Sequence, residues 1–295
     1  MNKVIIWGHK LHTHTHSYIH NSYFNAFKKM GFETYWFDNN DDVSNFNFNN
    51  CIFLTEAQVD QRIPLNNTSF YILHHCNTDK YINSGCKIIN LCNYVNDCKL
   101  NLSPNYGTEG VEKLTYYSYY DKLNSALYQP WGTELFPDEI GNNIINIDES
   151  KQNVNYIGTI WSENHNYIQS FANSCINNGK KFQSFKSLSD EDSRRLVVDS
   201  YISPDIRGLH HINVGYIPCR IFKNISYGCI PATNSEFIRD FLGDNTLPYS
   251  SDNLFDVNKE FLHQNNINDI GRSLMNEVRE HHTFTNRIKT LLMFL

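Results

Sequence analysis

The sequence has no apolar run of the about 20 residues that a membrane-spanning helix needs. Its first segment, MNKVIIWGHK, becomes polar too soon for a signal peptide and predicts a β-strand instead. A basic excess is also missing, because 25 Lys and Arg stand against 31 Asp and Glu, for a formal net charge of −6. A general nucleic-acid-binding protein needs a basic field, so that class is excluded. We therefore expect a cytoplasmic protein without a membrane span or a nucleic-acid partner.

Cysteine spacings typical of metal sites are missing too. The chain has eight Cys but no C-x-x-C pair, and Cys86, Cys92 and Cys98 lie six residues apart. Most of the cysteines lie in apolar runs, as Cys51 does in NNCIFLTE. We interpret them as reduced core thiols of a protein in a reducing compartment.

What the chain does contain is an alternation of short apolar strands and helices. In the first half the pattern predicts a helix at 18–30 and strands at 4–7, 34–37, 51–54, 70–73 and 87–91. In the second half it predicts strands at 154–160 and 181–185, the start of a strand at 201–202, and helices at 164–178, 190–199, 254–262 and 268–295. Such alternation is typical of α/β domains with a doubly wound parallel sheet that is buried on both faces.

The alternation pauses after Trp131, where Pro, Gly and scattered acids predict a linker over 132–151. A chain of 295 residues also exceeds what one core usually fills. We predict a Rossmann-like domain at 1–145, a second Rossmann-like domain at 146–275, and a helix at 276–295 that packs back on the first domain. Two such domains facing a cleft describe the GT-B architecture. The alternative is one large sheet with insertions.

The stretch GYIPCRIFKNISYGCIPATNS, residues 215–235, carries the main candidate site. Pro218 suits a helix start and Gly228 a helix end, and a short buried strand follows. The unpaired N–H groups at a helix N-terminus attract anions, and Arg220 and Lys223 add formal charge there. This pattern predicts a site for the diphosphate of a nucleotide. The alternative is an amphipathic helix with two solvated cations.

A second candidate site is the segment GHKLHTHTHSYIH, which follows the first strand and therefore lies at the functional edge of the sheet. Histidine has a pKa near neutrality, so we expect His14 or His16 to be a general base. We expect His12 and His20 to bind acceptor hydroxyls. The alternatives are a zinc site, since His16 and His20 are one helical turn apart, and plain loop residues.

Three further stretches could contribute to either site. Asp38, in the DNNDD segment, could bind an acceptor sugar, although a solvated turn is the simpler interpretation. Gly158 and Thr159 would let a diphosphate approach the backbone, and Arg207 could clamp a phosphate bidentately. The acids at 190–192 resemble a D-x-D metal motif, but Ser189 before them favours a helix N-terminus with a stabilising acidic first turn.

Together these segments resemble the spore-maturation CgeB-like, glycosyltransferase family 1-type group of GT-B enzymes found in bacteria and large viruses. The run YIPCRIFKNISYGCIPATNS resembles their nucleotide-sugar site, HHTFTNRIKTLL their closing helix, and QPWGTELFP their hinge. The resemblance implies that an activated-sugar donor is bound by Arg220, Tyr216 and the helix start at Pro218. Many retaining members carry glutamate where this chain has Lys223 and Gly215, and with Lys223 more positive charge faces the diphosphate. GDP-sugars are therefore as compatible with the site as UDP-sugars.

We therefore predict a metal-independent hexosyl- or deoxyhexosyltransferase that needs no cofactor and uses a nucleotide sugar as co-substrate. Its acceptor would be a hydroxyl of a glycan or of another molecule. We expect the domain at 1–145 to bind the acceptor and the domain at 146–275 to bind the nucleotide sugar. The predicted donor-binding residues are Thr159, Arg207, Tyr216, Pro218, Arg220, Lys223 and Asn224. One alternative is a non-catalytic protein that binds nucleotides or sugars. The other is a metal-dependent hydrolase built on the N-terminal histidines.

Overall fold

The computed structural model describes residues 1–10, 15–95, 110–115, 118–141, 149–243, 246–264 and 266–295. They form an α/β protein, as the sequence predicts, with two compact units. The first unit comprises residues 1–134 and 284–295, and the second comprises residues 135–283. The second unit thus begins at Leu135, whereas the sequence analysis places the boundary at 145/146 and a separate closing helix from residue 276.

The strands of the first unit are β1 (Lys3–Trp7), β2 (Glu33–Phe37), β3 (Cys51–Glu56), β4 (Phe70–His74), β5 (Lys87–Cys92), β6 (Val111–Thr115), β7 (Ser118–Asp121) and β8 (Ala126–Tyr128). Those of the second are β9 (Asn153–Ile157), β10 (Lys181–Phe185), β11 (Ser203–Asp205) and β12 (Pro231–Thr233). The strands predicted in the first half and at 181–185 are confirmed. Strand β9 ends at Ile157, before the predicted end, and β11 begins two residues after the predicted start.

The helices, in chain order, are α1 (Thr15–Lys29), α2 (Asp79–Asn83), α3 (Ser162–Asn177), α4 (Asp190–Asp199), α5 (Leu209–Asn213), α6 (Cys219–Ser226), α7 (Glu236–Leu242), α8 (Leu254–Gln264), α9 (Ile267–His281) and α10 (Phe284–Leu291). Short 3-10 turns lie at Pro137–Glu139 and Leu292–Phe294. None of the helices formed by the described residues is both long enough and apolar enough to cross a lipid bilayer.

The first unit is built on one eight-stranded sheet in the order β2-β1-β3-β4-β5-β8-β7-β6. The six strands from β2 to β8 pair in parallel, and β7 and β6 extend the sheet as antiparallel neighbours. Strands β1, β3 and β4 are almost completely buried, which explains their continuous apolar sequences. The sequence does not predict β6 and β7, because apolar and polar residues alternate too little in these short segments.

Helix α1 covers one face of this sheet with Ile19, Tyr23 and Phe27, which recur at helical spacing and are buried. The helix ends just before Gly31, whose φ of 89° suits a residue without a side chain. The opposite core combines Trp7, Phe53, Tyr71 and Tyr81 with the aromatic residues that follow β2.

The second unit has two parallel pairs, β9 with β10 and β11 with β12. The chain entering β11 joins β9, because the Tyr201 amide donates to the Asn153 carbonyl over 2.8 Å. One core lies between these strands and helices α3 and α8, around Tyr156, Phe171 and Phe255. A second core joins α6, α7 and α9 through Phe222 and Val278, among others.

The single helix predicted at 268–295 is wrong. Helix α9 ends at His281, His282 leaves the helical conformation with φ −125° and ψ 28°, and α10 begins at Phe284. The Phe284 amide donates to the Thr133 carbonyl over 3.3 Å rather than continuing the helical ladder. The apolar spacing continues through both helices, so the sequence pattern gives no sign of the break. The break coincides with the hydrogen bond between Phe284 and Thr133, which are far apart in sequence.

Helix α10 packs on α1, and its Phe284 ring meets Tyr23 edge-on at a centroid distance of 4.8 Å. We expect Phe284→Ala to lower the free energy of unfolding of the first unit by about 3–5 kcal/mol, because it leaves a buried cavity. Urea unfolding followed by tryptophan fluorescence measures this, since Trp7, Trp36 and Trp131 belong to that unit. Met293→Ala, at an exposed position of the same terminal segment, should change it by less than about 0.5 kcal/mol. Equal effects of both changes would contradict this packing.

Candidate functional site

The second unit holds two arginines on one buried carboxylate. Asp205, the last residue of β11, has no exposed surface. Arg207 reaches both of its oxygens, with Nε donating to Oδ2 over 3.0 Å and Nη2 donating to Oδ1. Arg220 Nη1 donates to Oδ1 over 3.3 Å. We call Asp205, Arg207 and Arg220 the arginine pair site.

The arginine pair site carries one surplus positive charge, because two guanidinium groups share one carboxylate. Burial lowers the pKa of Arg207, but the Asp205 carboxylate more than offsets this and the pKa is raised. The side chains of Arg207 and Arg220 remain 11% and 18% exposed, so an anion can reach them. Guanidinium groups bind phosphate and carboxylate bidentately, which makes an anionic group the ligand expected here.

Two tyrosines and a histidine surround the pair. The Arg220 guanidinium carbon lies 4.8 Å from the ring centroid of Tyr156, and that of Arg207 lies 5.9 Å from the ring centroid of Tyr216. The ring of His211 is 5.0 Å from that of Tyr216. Burial, followed by the nearby charge of Arg207, lowers the pKa of His211, so the neutral imidazole is favoured.

Gly158, directly after β9, is required for the position of Arg220. A Cβ atom there would lie 2.0 Å from Arg220 Nη2, which is closer than real atoms approach. The Gly158 amide also donates to the Phe185 carbonyl over 2.8 Å, which fixes the backbone at the end of β9. Any side chain at this position would displace the guanidinium.

Asn234, directly after β12, fixes the backbone of Arg207. Its Oδ1 accepts from the Arg207 amide over 2.7 Å, and its Nδ2 donates to the Arg207 carbonyl over 2.9 Å. The carboxyl ends of β9, β11 and β12 thus all contribute to the same site. This is the edge at which open parallel sheets bind ligands.

The structure brings together some of the predicted donor residues but not others. Arg207, Arg220 and Tyr216 meet, and Pro218 caps helix α6, on which Arg220 is the second residue. Lys223 instead forms an ion pair with Asp190 over 2.7 Å. Asn224 is buried, and Thr159 is exposed after β9.

The sequence analysis missed Asp205 and Tyr156, which hold the two guanidinium groups. Asp205 lies at the end of a strand and two residues before Arg207, so its position was a usable signal. Tyr156 looks like any core aromatic residue, and only the structure shows its ring beside a cation. The acids at 190–192 form the first turn of α4 with Ser189 as N-cap, as predicted, and the Ser189 hydroxyl accepts from the Asp192 amide.

A second group of functional side chains lies at the carboxyl edge of the first unit's sheet. His9 follows β1, Glu56 ends β3 and His74 ends β4, and these three strands are neighbours in the sheet. His16 and His20 come from helix α1. We call these five residues the histidine cluster.

The contacts within the histidine cluster are short. His9 Nε2 and Glu56 Oε2 are 2.9 Å apart, and both side chains are buried. The His16 ring centroid lies 5.4 Å from that of His9 and 5.1 Å from that of His74. A small cavity of about 10 Å³, lined by His16, His20, His74 and Trp131 among others, has room for about one water molecule.

Burial changes the pKa values of several groups in the histidine cluster. It lowers the pKa of His20 to about 3 and that of His74 well below its usual range. Burial opposes ionisation of Glu56, but the hydrogen bond with His9 and the nearby His16 lower its pKa overall. The cluster therefore holds a carboxylate together with the neutral imidazoles of His20 and His74.

The predicted acceptor and base residues fall into three groups. His12 and His14 lie outside the described residues. His16 belongs to the histidine cluster, whereas His20 is buried and its Nδ1 donates to the Gly8 carbonyl over 2.9 Å, which leaves it a structural role. Asp38 lies in a turn, where its Oδ1 accepts from the Asn39 amide, as the simpler interpretation predicts. His9 and Glu56 were missed, although their positions at strand ends were readable.

We expect Asp205→Asn to lower the free energy of unfolding by about 3–5 kcal/mol, since it leaves two largely buried guanidinium groups without their buried counter-charge. Denaturant unfolding followed by circular dichroism measures this change. Asp240→Asn, which removes an exposed carboxylate beside Arg239, should cost less than about 1 kcal/mol. If both variants are equally stable, Asp205 does not neutralise the arginine pair.

None of the known protein-family models matches the chain, and no curated protein sequence matches it either. The resemblance to CgeB-like glycosyltransferases therefore stays a prediction. What the chain does has to be argued from the arginine pair site and the histidine cluster.

Proposed function

We propose that the chain is a GT-B glycosyltransferase that moves a sugar from a nucleotide-diphosphate donor to a hydroxyl group of a glycan or another acceptor. The second unit would bind the donor and the first unit the acceptor. The observation that carries the proposal is the arginine pair site at the carboxyl edge of the second unit's strands.

The arginine pair site suits a diphosphate that leaves during the reaction. As the bond between the anomeric carbon and the diphosphate oxygen breaks, negative charge grows on that oxygen. Arg207 and Arg220 are held in place before the ligand arrives, by Asp205 and by the two tyrosine rings. Charges fixed in advance stabilise a developing anion without having to reorganise.

Helix α6 supports the same assignment. It begins directly after Pro218, and Arg220 lies in its first turn. The positive end of the helix dipole adds partial positive charge to that of the guanidinium. Lys223 contributes less than the sequence suggests, because Asp190 neutralises it. The donor would therefore depend on the two arginines and the helix start.

We assign activation of the acceptor hydroxyl to the histidine cluster. The hydroxyl would lose its proton there and attack the anomeric carbon, while the nucleoside diphosphate leaves with the electron pair of the broken bond. His16, predicted as a base, lies beside His9 and Glu56 in the cluster. A histidine held by a carboxylate is oriented for proton transfer.

Thermal unfolding with UDP, GDP, CDP, ADP and dTDP tests the donor assignment. One diphosphate should stabilise the protein by about 2.7 kcal/mol at a hundredfold excess over its dissociation constant. Arg220→Ala should abolish the shift by removing a phosphate ligand. Gly158→Ala should abolish it as well, because the added Cβ displaces the same guanidinium.

Two control variants make this test specific. Arg239→Ala removes a half-buried arginine of α7 that lies outside the arginine pair site, and it should keep the full shift. Gly179→Ala also changes a glycine with positive φ, 75°, but its Cβ would meet no atom within 4 Å. It should therefore lower stability without affecting the nucleotide shift. No shift with any diphosphate, or equal shifts in Gly158→Ala and the wild type, would refute the donor assignment.

Turnover separates a transferase from a protein that only binds nucleotides. The wild type, incubated with nucleotide sugars of the selected base and with simple sugars as acceptors, should release nucleoside diphosphate and form a glycoside. Binding without release, with every sugar of that base, would favour the non-catalytic alternative.

A further inference from the structure

We propose that the histidine cluster of the first unit binds a divalent transition-metal ion, with His9, His16 and Glu56 as its protein ligands. This inference goes beyond the proposed function and departs from the metal-independent reaction that the sequence predicts. It uses only residues of the first unit and does not depend on the arginine pair site.

The separations between the ligand atoms suit a metal ion. One nitrogen each from His9 and His16 and one oxygen from Glu56 lie within 4.8 Å of one another, and the His9–Glu56 distance is 2.9 Å. Bond lengths to zinc near 2.1 Å place tetrahedral ligand atoms about 3.4 Å apart. The His9–Glu56 distance is shorter than this value and the outer limit of 4.8 Å is longer, so small side-chain movements would close the site around an ion.

The chemistry of the ligand set narrows the choice of metal. Two imidazoles and one carboxylate suit Zn²⁺ and its neighbours in the first transition row, while Mg²⁺ and Ca²⁺ prefer oxygen ligands. Three protein ligands also leave one tetrahedral position for a water molecule or a substrate hydroxyl. A metal ion lowers the pKa of an oxygen ligand at such a position. In the metal-bound protein the ion, rather than His16 as a base, would therefore activate the acceptor hydroxyl.

Supporting contacts orient the ligands from outside. The backbone N–H of Gln58 donates to Glu56 Oε2 over 3.1 Å, which holds the carboxylate in place. The helix that carries His16 is tied to the loop before it, since His20 Nδ1 donates to the Gly8 carbonyl. Metal ligands are commonly fixed by such surrounding hydrogen bonds.

The backbone that presents His9 is unusual. Gly8 and His9 have φ values of 89° and 57°, and a Cβ at Gly8 would lie 2.1 Å from Val59 Cγ2. Positive φ is uncommon for a residue with a side chain and costs free energy. Here it turns His9 from the end of β1 toward Glu56 at the end of β3.

His74 supplies an independent observation. Its Nε2 donates to Asn93 Oδ1 over 3.2 Å, so the lone pair is on Nδ1. That nitrogen is buried and has no hydrogen-bond partner among the described residues. Its ring centroid lies 5.1 Å from that of His16. A simple His9–Glu56 hydrogen bond does not explain a third and a fourth imidazole here, whereas a polar ligand in the cluster does.

Titration with Zn²⁺ and Co²⁺ tests the proposal. Protein stripped with a chelator and dialysed should bind one equivalent of Zn²⁺ in calorimetry. Bound Co²⁺ should show the visible absorption bands of a four-coordinate site. Glu56→Gln and His16→Ala should each weaken Zn²⁺ binding at least about tenfold, because each removes a ligand. His165→Ala removes an exposed histidine of the second unit and should leave binding unchanged.

The same titration identifies the outcomes that overturn the proposal. No stoichiometric Zn²⁺ binding by the wild type would do so. Unchanged binding in Glu56→Gln with loss in a His12→Ala/His14→Ala double variant would also do so, because the segment at 11–14 would then hold the metal. Circular dichroism of each variant establishes that it is folded. The six-coordinate spectrum of free Co²⁺ would show that the ion does not enter the cluster.

The outcomes of the Zn²⁺ titration and of the nucleotide-binding test are independent of each other. Zn²⁺ binding is measured without nucleotide, and its variants lie in the first unit. The diphosphate shift is measured in the presence of chelator, and its variants lie in the second unit. Loss of one result with the other intact therefore shows which inference is wrong.

Discussion

The carboxyl ends of neighbouring parallel strands meet at one edge, and both candidate sites depend on this constraint. In the first unit it brings His9, Glu56 and His74 together from β1, β3 and β4. In the second it brings Asp205, at the end of β11, beside Asn234, which follows the paired strand β12, while Gly158 follows β9 of the other parallel pair. These residues are far apart in sequence, and no local motif contains them. Strand pairing brings the residues within each sheet together, and the chemistry of each site follows from the side chains at the strand ends.

Buried charge limits what each site can do. Asp205 would be costly to bury alone, and so would either arginine, so each requires the others. The charges of Asp205, Arg207 and Arg220 add up to one net positive charge, and that surplus favours binding of an anion. In the histidine cluster Glu56 keeps its charge, while burial keeps His20 and His74 neutral. A carboxylate oxygen and imidazole nitrogens are ligand atoms that favour a transition-metal cation.

The sequence predicted the parallel strands β1 to β5 because buried strands are continuously apolar, and this signal is local. It did not predict the break at His282, where the Phe284 amide bonds to Thr133, nor the short strands β6, β7 and β8. Arg207 and Arg220 were predicted from charge near a helix start. Asp205, Tyr156 and Glu56 were missed because their roles depend on partners from other strands. Lys223 was assigned to the donor since nothing in its own segment shows Asp190 beside it.

The two sites differ in how they tolerate change, and the difference follows from packing. The Arg220 guanidinium lies so close to Gly158 that a methyl group at position 158 would displace it. The geometry of this site therefore requires glycine there. The histidine cluster instead depends on positive φ values at Gly8 and His9, and the Val59 side chain packs so close to Gly8 that a Cβ there would clash with it. A backbone held in an unfavourable conformation persists only when its surroundings compensate for the cost. The contacts of His9 with Glu56 provide part of that compensation, and a bound cation would provide more, because it binds the folded state alone.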